Sequence, residues 1–121
     1  MNVSTPTIGA SVSGDIWTFQ LKYRATFTQA EVNAGFTFAD SARLREEDDG
    51  ADDVVVNWFR EEPWVPNDTI DDWTWTIRVH EDHVDTELGG EEIYGQIALR
   101  NVTTSSGHII KNSGIINVSP D

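Results

Sequence analysis

The sequence has no cysteine in its 121 residues. That excludes a disulfide framework, thiolate-ligated zinc, iron–sulfur ligation and a cysteine nucleophile. Cations are scarce as well. Lys22 and Lys111 are the only lysines, and eight Lys and Arg stand against 21 Asp and Glu, a net charge of −13. Such a field repels polyanions, so nucleic acid and anionic lipid surfaces are not expected partners. No apolar run approaches the ~20 residues that a membrane-spanning helix needs, so no membrane insertion is expected. Met1 to Gly14 lacks a basic segment followed by an apolar one, so no signal peptide is expected, and the compartment stays open. Also missing are a Gly-x-Ser-x-Gly elbow, a phosphate-cradling glycine loop and a His-Glu-x-x-His pair. Sequons at Asn2, Asn67, Asn101 and Asn117 matter only in a eukaryotic secretory route.

What is present is a globular composition, 38% apolar with five tryptophans. The length fits one domain over residues 1–121, because domains commonly run to ~100–150 residues. The strongest pattern lies after Asp15. Trp17, Phe19, Leu21, Tyr23, Ala25 and Phe27 alternate with Thr18, Gln20, Lys22, Arg24 and Thr26, which describes a long strand with one buried face. Thr28 and Glu31 then form a capping-box pair for one or two helical turns ended by Gly35. Phe36 and Phe38 mark a short strand, and residues 46–53 read as a solvated acidic loop with a turn at Gly50. Val54–Arg60 reads as a strand, and Pro63 and Pro66 turn the next stretch into loop. Trp73, Trp75, Ile77 and Val79 alternate with polar residues in a second amphipathic strand. Residues 80–92 read as polar loop, and Ile93–Val102 and His108–Val118 form a terminal hairpin with a bulge near Asn112–Gly114. Many strands, regular turn signals and almost no helix predict an all-β fold, an antiparallel β-sandwich of about seven or eight strands.

Gly90, Tyr94 and the alternating Gln96–Leu99 segment resemble the tyrosine corner that enters strand F of an immunoglobulin-like sandwich. The resemblance covers roughly the last third of the chain and, with no cysteine present, is to the cysteine-free members. It implies immunoglobulin-like topology, a Tyr94 hydroxyl bonded to backbone a few residues upstream, and Thr103–Gly107 as the turn between the last strands. It implies no function, since such sandwiches host many. The expected core face holds Trp17, Phe19, Leu21, Tyr23, Phe27, Phe36, Phe38, Trp73, Trp75, Ile77, Val79, Ile97 and Leu99, with the Thr18–Thr26 polar row outward.

Candidate site residues fall in the loops. Glu47, Asp48, Asp49, Asp52 and Asp53 are hard oxygen donors of the kind calcium takes six to eight of, without the spacing of an EF-hand. The competing expectation is a solvated acidic loop. Trp64 lies between prolines beside Glu61, Glu62, Asn67 and Asp68, which is how an aromatic platform with polar neighbours meets a sugar ring. Trp58 and Asn67 extend that candidate ligand set, and the alternative is that Trp64 folds back over the open end of the sandwich. His80, His83 and His108 do not carry the spacing of a zinc site. Three functions follow in order. The first is a non-catalytic module for protein interaction or a structural role, with a basic partner steered to the acidic surface. The second is a calcium-assisted carbohydrate- or lipid-binding module. The third is a small hydrolase, which needs a cleft holding a carboxylate of raised pKa. Exposed sheet edges leave room for a homo-oligomer.

Overall fold

The alternating segment after Asp15 becomes β3 (Ile16–Thr26), the centre of the first sheet. Trp17, Phe19, Leu21, Tyr23 and Ala25 are buried, whereas Gln20, Lys22 and Arg24 are exposed. The outward row therefore faces solvent as the alternation requires. The computed structural model describes residues 1–47, 52–84 and 91–118. β1 (Asn2–Val3) and β2 (Thr7–Ser13) lie end to end on one side of β3. β7 (Ile70–His80) pairs along the whole of its other side.

The second sheet is built on β4 (Phe38–Glu46) and β8 (Glu91–Asn101), paired antiparallel from Phe38↔Asn101 to Glu46↔Ile93. β5 (Asp53–Val56) and β6 (Glu62–Trp64) share the outer side of β4. β9 (Ile109–Asn112) and β10 (Ile116–Val118) share that of β8. Both sheets are antiparallel, and one buried cluster joins Phe19, Leu21 and Ile77 of the first to Phe38, Leu44, Ile97 and Leu99 of the second. The chain is an all-β sandwich. Among the described residues ten strand segments fill seven positions, because each of three edge positions is split in two.

The splits have local causes. Between β9 and β10 the register against β8 slips by one residue, and Ser113 fills the break. Its N–H donates to the Gly95 carbonyl, and its hydroxyl accepts from the Gly95 N–H. This is the bulge that Asn112–Gly114 predicts. Gly95 itself lies under Leu21, where a Cβ would stand 2.1 Å from Leu21 Cδ2. Close packing of the two sheets needs glycine at that point.

α1 (Gln29–Asn33) carries the expected capping box. Thr28 Oγ1 accepts from the Glu31 N–H, and Glu31 Oε1 accepts from the Thr28 N–H. Gly35 leaves the helix at φ +68°, a conformation that glycine adopts without strain. A second helical turn, α2 (Glu81–Val84), stands in the stretch expected to be loop.

The structure departs from the sequence reading at several further points. Residues 2–13 carry no strand signal but form β1 and β2, whose side chains are mostly exposed, so no apolar alternation marks them. Pro63 does not end strand structure. It sits in β6 opposite Ala39, on an edge where a missing N–H costs no ladder bond. The Tyr94 hydroxyl donates to Asp52 Oδ2 at 2.6 Å, across the sheet, and residues 85–90, just upstream of Tyr94, lie outside the described residues. Trp73 is 40% exposed and does not belong to the core, while Trp75 and Phe36 are half-buried. The other ten expected core residues are buried.

Candidate functional site

β7 is an edge strand of the first sheet, and β6 is an edge of the second. Between them the sandwich opens into a cleft of about 340 Å³ lined by Asp40, Glu62, Pro63, Trp64, Trp73, Thr74 and Trp75. Alternation along β7 explains its wall. Val79 and Ile77 are buried on the inward face, Trp75 is half-buried, and Trp73 reaches the opening. The same inward row passes from buried to exposed along the strand, and at Trp73 it meets Trp64 of the edge strand β6.

The floor is formed by β4. Its inward row runs Phe38, Asp40, Ala42 and Leu44, so a carboxylate stands in a line of core side chains with only 4% of its surface exposed. Two donors reach its Oδ2: the Tyr23 hydroxyl from β3, and Trp75 Nε1 at 2.9 Å from β7. Burial pushes the Asp40 carboxyl above the ordinary aspartate value, the two donors act against that, and the charge of Glu62 adds to the rise. Burial and the Asp40 charge together hold the Tyr23 hydroxyl protonated far above the usual tyrosine range.

Glu62 is the direct cross-strand partner of Asp40, so the two carboxylates share one face of the β4–β6 pair. One step along that face Trp64 lies opposite Phe38. Its ring meets Phe27 edge-on at 6.1 Å and Trp73 at 5.1 Å and 64°, and its Nε1 donates to Asp71 Oδ2 at 3.1 Å. Trp64 therefore both covers the end of the core and lines the opening. Trp75 stacks on Phe59 at 5.6 Å, which fixes the other wall. None of the described lining residues carries a positive charge.

Trp58 lies on the opposite side of the second sheet. The Arg43 guanidinium sits 4.6 Å over its ring, and it lines a separate cleft of about 300 Å³ with Phe59, Glu61 and His108. Arg100 holds Glu61 by two 3.0 Å bonds from its Nε, and His108 Nε2 lies 3.1 Å from the same carboxylate. Asn67 is exposed and lines neither cleft. The structure thus separates Trp64, Trp58 and Asn67. Of the acidic set, Asp48 and Asp49 lie outside the described residues. Glu47 and Asp52 line a shallow cleft of about 180 Å³, and Asp53 is an exposed residue of β5. Among the described residues no group of three or more His, Asp or Glu is placed to hold a metal ion. His80 lies 2.9 Å from Asp15 Oδ2, at the end of β7, and His83 is on α2. Arg24 is forked onto Asp72 by two bonds, so the basic spot expected at Lys22 and Arg24 is partly neutralised.

Sequence reasoning missed Asp40 and assigned Trp73 and Trp75 to the core. A signal for Asp40 was there, because it continues the Phe36–Phe38 alternation and so falls on the inward face. No family model matches the sequence, and no curated protein matches it.

Proposed function

We propose that this chain is a non-catalytic binding module that docks a segment of a partner protein in the cleft between β6 and β7. The observation that carries the reading is Trp73. A tryptophan 40% exposed at the mouth of an aromatic cleft, on a strand whose inward Ile77 and Val79 are buried, supplies the kind of anchor that dominates protein interfaces. The cleft also lies along two edge strands, where an extended segment finds backbone groups to pair with. We read the topology as immunoglobulin-like. The order β2–β3–β7 facing β9–β8–β4–β5 supports that type.

The test is selection of peptides from a random library on the immobilised full chain, followed by affinity measurement on the parent and on Trp73→Ala. The expected result is a loss of about tenfold or more in the variant, as for an interface hot spot. Selected peptides that bind both proteins equally would place docking elsewhere and overturn the reading.

A small hydrolase is the second reading, favoured by the raised pKa of Asp40 beside Glu62. Against it, Asp40 Oδ2 is held by two donors from the core and the side chain is almost wholly buried. Turnover of chromogenic glycosides or esters that disappears in Asp40→Asn would favour it. The calcium-assisted carbohydrate- or lipid-binding alternative draws on Glu47, Asp48, Asp49, Asp52 and Asp53. A melting temperature raised by calcium over EDTA at matched ionic strength would support it.

A further inference from the structure

The cleft is unbalanced in its chemistry. Asp40 and Glu62 are directly opposed carboxylates on one face, an arrangement that is unfavourable between like charges. Asp71 stands behind Trp64 as a third. Two of the three indole N–H groups are already given to carboxylates, that of Trp64 to Asp71 and that of Trp75 to Asp40. Thr74 and Trp73 are the remaining side-chain donors among the described lining residues. What the cleft offers an occupant is carboxylate oxygen and indole face. A neutral sugar needs donors as well as acceptors, and an anion meets only repulsion. A cation that donates several hydrogen bonds satisfies both features at once.

The shape narrows the cation. Trp64 and Trp73 meet at 64°, so their planes form a corner and not a parallel slot. Two carboxylates on adjacent strands suit a planar fork of N–H donors, and a guanidinium stacks on indole and sheds water more readily than an ammonium. This chain already seats its own arginines in both ways. Arg43 lies over Trp58 at 4.6 Å, and Arg24 forks onto Asp72 through Nε and a terminal nitrogen. The cations of β3 do not fill the need, since Lys22 and Arg24 lie on its outward row, away from Asp40.

We infer that the cleft takes a guanidinium, the side chain of an arginine on the partner protein, stacked in the Trp64–Trp73 corner and bonded to the exposed Glu62, with the buried Asp40 carboxyl behind it. This rests on the docking reading above and names the chemistry of its anchor.

The test uses the full chain labelled with ¹⁵N, with the indole N–H resonances assigned by single tryptophan substitutions. Three acetylated and amidated tripeptides, Gly-Arg-Gly, Gly-Lys-Gly and Gly-citrulline-Gly, are titrated into the millimolar range. The arginine peptide is expected to shift the Trp64, Trp73 and Trp75 resonances and to leave Trp17 unmoved. Citrulline keeps the shape of arginine without its charge, so its binding is expected to be about tenfold weaker. Lysine is expected to fall between the two. Glu62→Gln, an exposed position that leaves the core intact, is expected to weaken the arginine peptide several-fold and the citrulline peptide little. Equal binding of arginine and citrulline, or tighter binding of lysine, would overturn the guanidinium while leaving the docking reading in place. Absence of any shift with the arginine peptide, when library-selected peptides do shift the three indoles, would overturn it in the same way. If the selected peptides also leave them unmoved, both readings fall.

Discussion

Asp40 is costly where it stands, since a carboxylate with 4% exposure has lost nearly all its water. Its two donors offset that cost only together. Tyr23→Phe removes one and leaves Trp75 alone on Oδ2. The expected loss is about 1–3 kcal/mol by urea denaturation, the range for an under-satisfied buried polar group. The sign with pH follows from the raised pKa of Asp40. Folding favours its protonated form, so as pH rises from the unfolded aspartate value through the folded one, the parent loses stability at this residue. A protonated Asp40 needs the tyrosine less, so the cost of Tyr23→Phe should be larger at neutral pH than in acid. A cost that does not change with pH would mean that Asp40 keeps one charge state throughout. Gly95 tests packing in the same core. A Cβ there meets Leu21 Cδ2 at 2.1 Å and Cγ at 2.8 Å, and Leu21 is fully buried. Gly95→Ala should cost about 1–3 kcal/mol as overpacking. In a Leu21→Ala background it should cost much less, and additive costs would show that the clash is relieved by backbone movement.

At the scale of the element, the segment between β5 and β6 is tied to β8 through Glu61, which accepts from Arg100 and lies beside His108. The bond from Arg100, then that from His108, holds the Glu61 carboxyl below the ordinary glutamate value. A lowered carboxyl contributes stability above its unfolded pKa and loses it as pH falls through the folded value. Glu61→Gln should therefore lower the melting temperature at neutral pH and leave it unchanged well below pH ~4. A deficit that persists in strong acid would assign the effect to packing and not to charge. The elements that could be read from the sequence are those with one wet face and one dry face. β3 and the Trp73–Val79 half of β7 alternate because one side meets the opposing sheet, and Thr28 with Glu31 satisfies helix N–H groups whatever surrounds them. β2 and β6 could not be read this way. β2 buries almost nothing, and β6 contains a proline that only an edge tolerates. The cleft escaped for a related reason. Trp73 and Trp75 follow the core alternation correctly, and only the meeting of β7 with the edge strand β6, which sets Trp64 beside Trp73, turns an inward face into a wall. Asp40 could be placed on that face by its spacing. Its pairing with Glu62 could not, because it depends on the register of a strand the prolines conceal.

For the whole molecule the governing quantity is the net charge of −13. Carboxylates crowd a small surface and repel one another, which favours the expanded chain. The β6–β7 cleft concentrates the same excess, and there it favours an incoming cation. Salt therefore acts on stability and on binding with opposite signs. Raising sodium chloride from about 0.01 M to about 1 M shortens the screening length from ~30 Å to ~3 Å. Self-repulsion is damped and the melting temperature should rise across that range. Attraction between the acidic surface and an arginine peptide is damped equally, so association should slow and affinity should fall. The pair of measurements is more informative than either alone. A rise in melting temperature with no change in affinity would mean that the peptide is held by indole contact and that Asp40 and Glu62 contribute little charge to it. A fall in affinity with a flat melting temperature would mean that local pairs, such as Arg24 with Asp72 and Arg100 with Glu61, already balance the surface in the folded state. The cleft would then be the place where an uncompensated part of the charge remains.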